Sequence, residues 1–104
     1  MAIVSAYLTT TTSNVFISDG NTATMTFYFS NYSTSADATF SLWAVNAATT
    51  SPANLHVLYS NVYVQAGDTY VADRERIFLD NGDKLMARCN ANSVMSVTLT
   101  HVNI

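Results

Sequence analysis

A chain of 104 residues with a net charge of −3 has room for a single domain and for no strongly basic surface. Its only cations are Arg74, Arg76, Lys84 and Arg88, too few to displace counterions from a nucleic acid or to hold an anionic membrane surface. Charged residues make up 11% of the chain, against about 25% in an ordinary soluble domain, and burying a charge in an interface is costly, so a surface this poor in charge suits extensive contact.

In chain order, Met1–Leu8 carries no Lys or Arg, and Ser5 breaks its apolar run. This argues against a signal peptide or a membrane span and for a protein made in, and not secreted from, the cytoplasm. Ile3–Leu8 reads as a first strand. Thr9–Thr12 is β-branched and favours extended chain. Asn14–Ser18 is a short second strand, closed by an Asp19-Gly20-Asn21 turn.

Thr22–Asn31 is the clearest strand. Met25, Phe27 and Phe29 are expected on a core face, and Thr24, Thr26, Tyr28 and Ser30 on a wetter one. Asn31-Tyr32-Ser33 matches a glycosylation sequon, read as chance without secretion. After a polar loop to Asp37, Ala38–Val45 puts Phe40, Leu42 and Ala44 on one face and Trp43 and Val45 on the other, so both faces carry apolar weight. Ala47–Asn54, with Pro52, is a connection. Leu55–Tyr59 and Val62–Val64 alternate again, with a bulge expected at Ser60-Asn61.

Ala66-Gly67-Asp68 is a turn, followed by short strands at Thr69–Ala72 and Ile77–Leu79. Asp80-Asn81-Gly82-Asp83 has Asn-Gly at its centre and signals a hairpin, with Leu85–Cys89 returning. Asn90-Ala91-Asn92 turns once more. Ser93–Ile104 is a long last strand with Met95, Val97 and Leu99 on one face. Beyond His101 the apolar positions shift to Val102 and Ile104, which implies a bulge or a second buried surface there.

Helical periodicity is absent and Thr, Val, Tyr and Phe abound. The expected fold is therefore all-β: one antiparallel β-sandwich over residues 1–104, jelly-roll-like, with a small barrel as its main competitor and without an internal boundary. Most charges fall between Asp68 and Arg88, so broad neutral faces are expected elsewhere.

Catalytic chemistry finds little footing. Cys89 is the only cysteine, which precludes an intramolecular disulfide and a thiolate zinc site, and it reads as a small buried hydrophobe. His56 and His101 lack carboxylates at ligand spacing. Three glycines supply neither a nucleophile elbow nor a phosphate loop. Asp80–Asp83 lacks the alternating ligands and closing Glu of a calcium loop. No catalytic residue, cofactor or metal is therefore expected. Tyr7, Tyr28, Tyr32, Trp43, Tyr59, Tyr63 and Tyr70 exceed what one small core requires, and such residues are enriched at interfaces. The candidate contact residues are Tyr7, Tyr28, Trp43 and Tyr63, with Arg74 and Arg76 from the alternating charges of Asp73–Arg76.

The last third carries Ser60-Asn61-Val62-Tyr63-Val64-Gln65-Ala66-Gly67-Asp68-Thr69-Tyr70, then Glu75-Arg76-Ile77-Phe78-Leu79-Asp80-Asn81-Gly82-Asp83-Lys84-Leu85, and a closing Val/Ser/Thr strand, Asn92–Ile104. With Asn14-Val15-Phe16 and Gly20-Asn21-Thr22 near the start, this layout resembles small β-rich virion proteins of tailed bacteriophages, cyanophages included. The resemblance implies a structural protein of the virion. The favoured form is a capsid decoration, or cement, protein acting as a homo-oligomer, a trimer in expectation, against the major capsid protein or other virion proteins. A tail, neck or fibre component and a carbohydrate-binding module using Trp43 and the tyrosines are the alternatives.

Overall fold

The computed structural model describes residues 2–48, 52–53, 56–72 and 77–104. Nine strands account for most of them: β1 (Ala2–Tyr7), β2 (Ser13–Ile17), β3 (Thr22–Asn31), β4 (Ala38–Val45), β5 (Val57–Val64), β6 (Thr69–Ala72), β7 (Ile77–Leu79), β8 (Lys84–Cys89) and β9 (Met95–Asn103). They form two antiparallel sheets packed face to face. The first has the order β1-β9-β3-β6, with β7 also on β3, and the second the order β2-β8-β4-β5. The all-β sandwich expected from period-two alternation is thus the fold.

The pairs are nested: β4 lies beside β5, β3 beside β6 and β7, β2 beside β8, and β1 beside β9. Cross-links between these pairs close the sheets, β3 with β9 and β4 with β8. Most turns therefore carry the chain from one sheet to the other. Asp80–Asp83 is one of these. The Asn-Gly turn expected to close a hairpin instead joins β7 of the first sheet to β8 of the second. Turn chemistry reverses the chain but does not choose the sheet in which the next strand pairs.

The core lies between the sheets. Phe27, Phe29, Val97, Leu99 and Met95 come from the first, and Phe40, Leu42, Leu85, Ala87 and Cys89 from the second. Phe29 and Phe40 stack across the interface with centroids 3.8 Å apart and planes within 9°. Each such buried side chain contributes roughly 1.5–3 kcal/mol. Tyr59 and Tyr70 extend the aromatic contact at 6.3 and 5.7 Å from Phe40.

Two strand expectations need correction. Thr24, assigned to the wetter face, is 0% exposed, and Met25, assigned to the core, is only half-buried. The cause is a bulge in β3 between Thr24 and Phe27, which inserts one residue and reverses the facing of everything before it. That bulge lies on β3 and not on β9, so Val102 and Ile104 simply leave the core face: Val102 is half-buried and Ile104 exposed, without the bulge or the second buried surface expected there. The partner strand itself stays regular through His101, Val102 and Asn103. The bulge expected at Ser60-Asn61 is present, with Asn61 at φ 51° opposite the Phe40–Leu42 step. Leu55, expected to begin a strand, lies outside the described residues.

Candidate functional site

Charge is sorted by the fold. None of the five strands of the first sheet contains Asp, Glu, Lys or Arg. In the second sheet only Lys84 and Arg88, both on β8, are charged. The described acids Asp19, Asp37, Asp68, Asp80 and Asp83 all sit in connections.

The outward face of the first sheet is a ladder of hydroxyls and apolar side chains. One cross-strand row runs Tyr7, Ser96, Ser30, Thr69, and the next runs Ser5, Thr98, Tyr28, Val71. Within these rows Ser5 and Thr98 hydrogen-bond through their hydroxyls at 3.1 Å, and Ser30 and Thr69 do so at 3.2 Å. Near the other end, Ala23 stands between Val102 and Phe78, and Ile3 pairs with Thr100. Large apolar groups face water along this surface: Ile3 at 72%, Phe78 at 70% and Tyr7 at 75% exposure, with Tyr28 and Val71 also exposed. Isolated exposed apolar groups are ordinary, whereas several on one uncharged sheet make a patch of the kind found at interaction sites.

The anticipated contact residues do not form one patch. Tyr7 and Tyr28 project from the first sheet. Trp43, half-buried opposite Met86 and Val57, and Tyr63, exposed opposite Thr39, project from the outer face of the second. Arg74 and Arg76 lie outside the described residues. Ile3, Val71 and Phe78 were missed. Ile3 alternates visibly with Val4 and Ser5, but Val71 and Phe78 sit in strands too short for alternation to assign a face.

Tyr63 donates its hydroxyl proton to the Asp37 carboxylate, whose other oxygen accepts from the Ala66 amide at 2.9 Å. The Tyr63 bond, reinforced by the Ala66 amide, holds the Asp37 carboxyl below its ordinary range, and Asp37 in turn pushes the Tyr63 phenol upward. This is a clasp between the β3–β4 connection and the β5–β6 turn.

The remaining candidates serve the fold. Asp83 accepts from the Ala47 and Asp80 amides, and Asn81 accepts from Gly20. Those oxygens are satisfied by backbone donors. His56 caps a turn by accepting from Ala53, whereas His101 lies on β9 against Phe16, at 4.7 Å between ring centroids. His56 thus lies just before β5 of the second sheet, and His101 on β9 of the first. Cys89 is buried and free. No cluster of three or more His, Cys, Asp or Glu suited to a metal occurs among the described residues. The sequon residue Asn31 is 2% exposed, and its amide nitrogen donates to Ala36 and Val64, so it is no acceptor for a glycan in the folded chain.

At one end of the first sheet, the Tyr7 and Tyr32 rings meet edge to face over a cleft of about 330 Å³. No family model, curated protein or solved structure matches the chain.

Proposed function

We propose that the chain is a structural protein of a bacteriophage virion, a capsid decoration protein that acts through protein–protein contacts and performs no catalysis. The observation carrying this reading is the uncharged outer face of the first sheet with its exposed Ile3, Tyr28, Val71 and Phe78. Two copies of a chain with net charge −3 repel least when they meet through a face that carries none of it. The nested strand pairing is read here as a jelly roll, an architecture that viral shells use, although the fold alone assigns no function. Together with the resemblance of the turn and strand layout to small virion proteins, this favours a homotrimer seated on a shell.

Two measurements test the proposal. Light scattering of the purified chain is expected to give a trimer. Gold-labelled antibody against the chain, applied to intact particles made from the genome that encodes it, is expected to decorate the head. Labelling of the tail would move the protein to the tail. A monomer that labels no particle overturns the structural role.

A further inference from the structure

Tyr7 ends β1 and Tyr32 follows β3, yet both are anchored to the start of β9. The Leu8 amide donates to Met95 and the Tyr32 amide to Val94, each at 2.9 Å. The two rings are thereby held 6.0 Å apart with their planes at 70°. Both stay open to solvent, Tyr7 at 75% and Tyr32 at 47%. The cleft they bound is completed by Leu8, Thr9, Asn92 and Ser93. Leu8 is 0% exposed and ties the cleft to the core.

The polar groups are few and fixed. Asn92 accepts from the Thr10 amide at 3.0 Å, which orients the carboxamide and leaves its Nδ2 as a donor. The hydroxyls of Tyr7, Tyr32 and Ser93 have no protein partner among the described residues. Among the described residues, no charged side chain lines the cleft. Its volume of about 330 Å³ lies at the lower end of ligand sites, about 300–1,000 Å³.

We propose that this cleft binds an uncharged saccharide of one to three residues. A pyranose offers an apolar C–H face and a rim of hydroxyls. Two open aromatic rings supply the surface on which that face stacks, and the Asn92 amide, the Ser93 hydroxyl and the two phenols supply partners for the rim. Phosphorylated, sulfated and carboxylated sugars lack the cation they require. A second hollow of about 260 Å³, bounded by Tyr7, Ser5, Ala6 and Ser96, continues along the outer face and gives a longer glycan room to extend. Tyr7 belongs to the proposed contact face as well, so the two roles are separated at Ile3 and Phe78, which lie toward the opposite end of the sheet.

The test is a titration of the isotope-labelled chain with three neutral trisaccharides in turn, maltotriose, cellotriose and triacetylchitotriose, followed by backbone amide shifts. At least one is expected to shift residues 7–9, 32 and 92–93 in a saturable way below about 10 mM. Tyr32→Ala and Asn92→Ala are expected to weaken it by at least about tenfold while keeping a wild-type amide spectrum elsewhere. Ile3→Lys with Phe78→Lys is expected to leave it unchanged. Three flat titrations overturn the site. So do shifts confined to other residues, or binding that survives Tyr32→Ala in a folded protein. A wild-type chain that is monomeric and labels no particle, yet gives the saccharide response, would count against the decoration role alone.

Discussion

Asn31 holds three segments of the chain together with one side chain. Its Nδ2 donates to the Ala36 and Val64 carbonyls at 2.8 and 3.1 Å, and its Oδ1 accepts from Ser33 at 3.0 Å. Its own backbone pairs with Asp68 and Gly67. Asn31→Ala leaves two carbonyls in a closed space without donors and is expected to cost about 1–3 kcal/mol, read from the denaturation midpoint at unchanged slope. Asn31→Asp puts a carboxylate against those carbonyls and is expected to cost more than the alanine, at neutral pH above all. The exposed clasp of Tyr63 and Asp37 is a matter of pH. Asp37 titrates below its ordinary value when folded, so its contribution is full above the unfolded carboxyl pKa and disappears as pH falls through the lowered folded value. Tyr63 titrates above its ordinary value, so the same bond stabilises below the unfolded phenol pKa and is lost as pH rises through the raised one. The stability difference between wild type and Tyr63→Phe is therefore expected to be flat across neutral pH and to shrink at both extremes. Denaturation curves at acid, neutral and alkaline pH check it, and a difference that persists at the lowest pH would contradict the assignment.

Among the elements, the turn at Asp80–Asp83 leaves no room for a side chain at Gly82. Gly82 has φ +88°, and a Cβ there would lie 2.9 Å from the Ala47 Cβ. Gly82→Ala is expected to lose about 1–3 kcal/mol from backbone strain, with some added crowding, measured by thermal denaturation. This turn also shows where sequence stops informing. Its Asn-Gly centre announces a reversal, but the sheet receiving β8 is decided by contacts with β2 and β4 far along the chain. Strand β4 was legible in full, because Phe40, Leu42 and Ala44 alternate cleanly with Trp43 and Val45. Strand β3 was legible only from Phe27 onward. A single inserted residue reversed the facing of Thr24, and local composition gives no sign of it. The Tyr7–Tyr32 cleft was hidden for a similar reason. Each tyrosine was visible as a surplus aromatic, but their meeting depends on both segments binding the start of β9.

For the whole molecule, the segregation of charge is the main result. Acidic residues in the connections keep the ends of the sandwich hydrated, while the first sheet is left without a charge to oppose contact. Its edge strand β1 has neither Lys nor Pro, the residues that usually protect an edge from pairing. Ile3→Lys with Phe78→Lys is expected to reduce the proposed oligomer to monomer. The melting temperature of the monomer should move little, since both side chains are already exposed at 72% and 70%. Light scattering and a thermal melt on the same sample separate loss of contact from loss of fold.

The nesting of pairs also bears on how the chain comes into being. β3 finds its neighbours in β6, β7 and β9, all made after it, and Ala2 waits for His101. Contacts this distant along the sequence slow folding, because closure entropy is lost before any pairing rewards it. A chain stopped anywhere before Met95 has β1 without a neighbour and one side of β3 bare. During synthesis, then, the apolar side chains of β1 and one side of β3 are exposed before the strand that pairs with them has been made. The cell must protect that interval or complete it quickly.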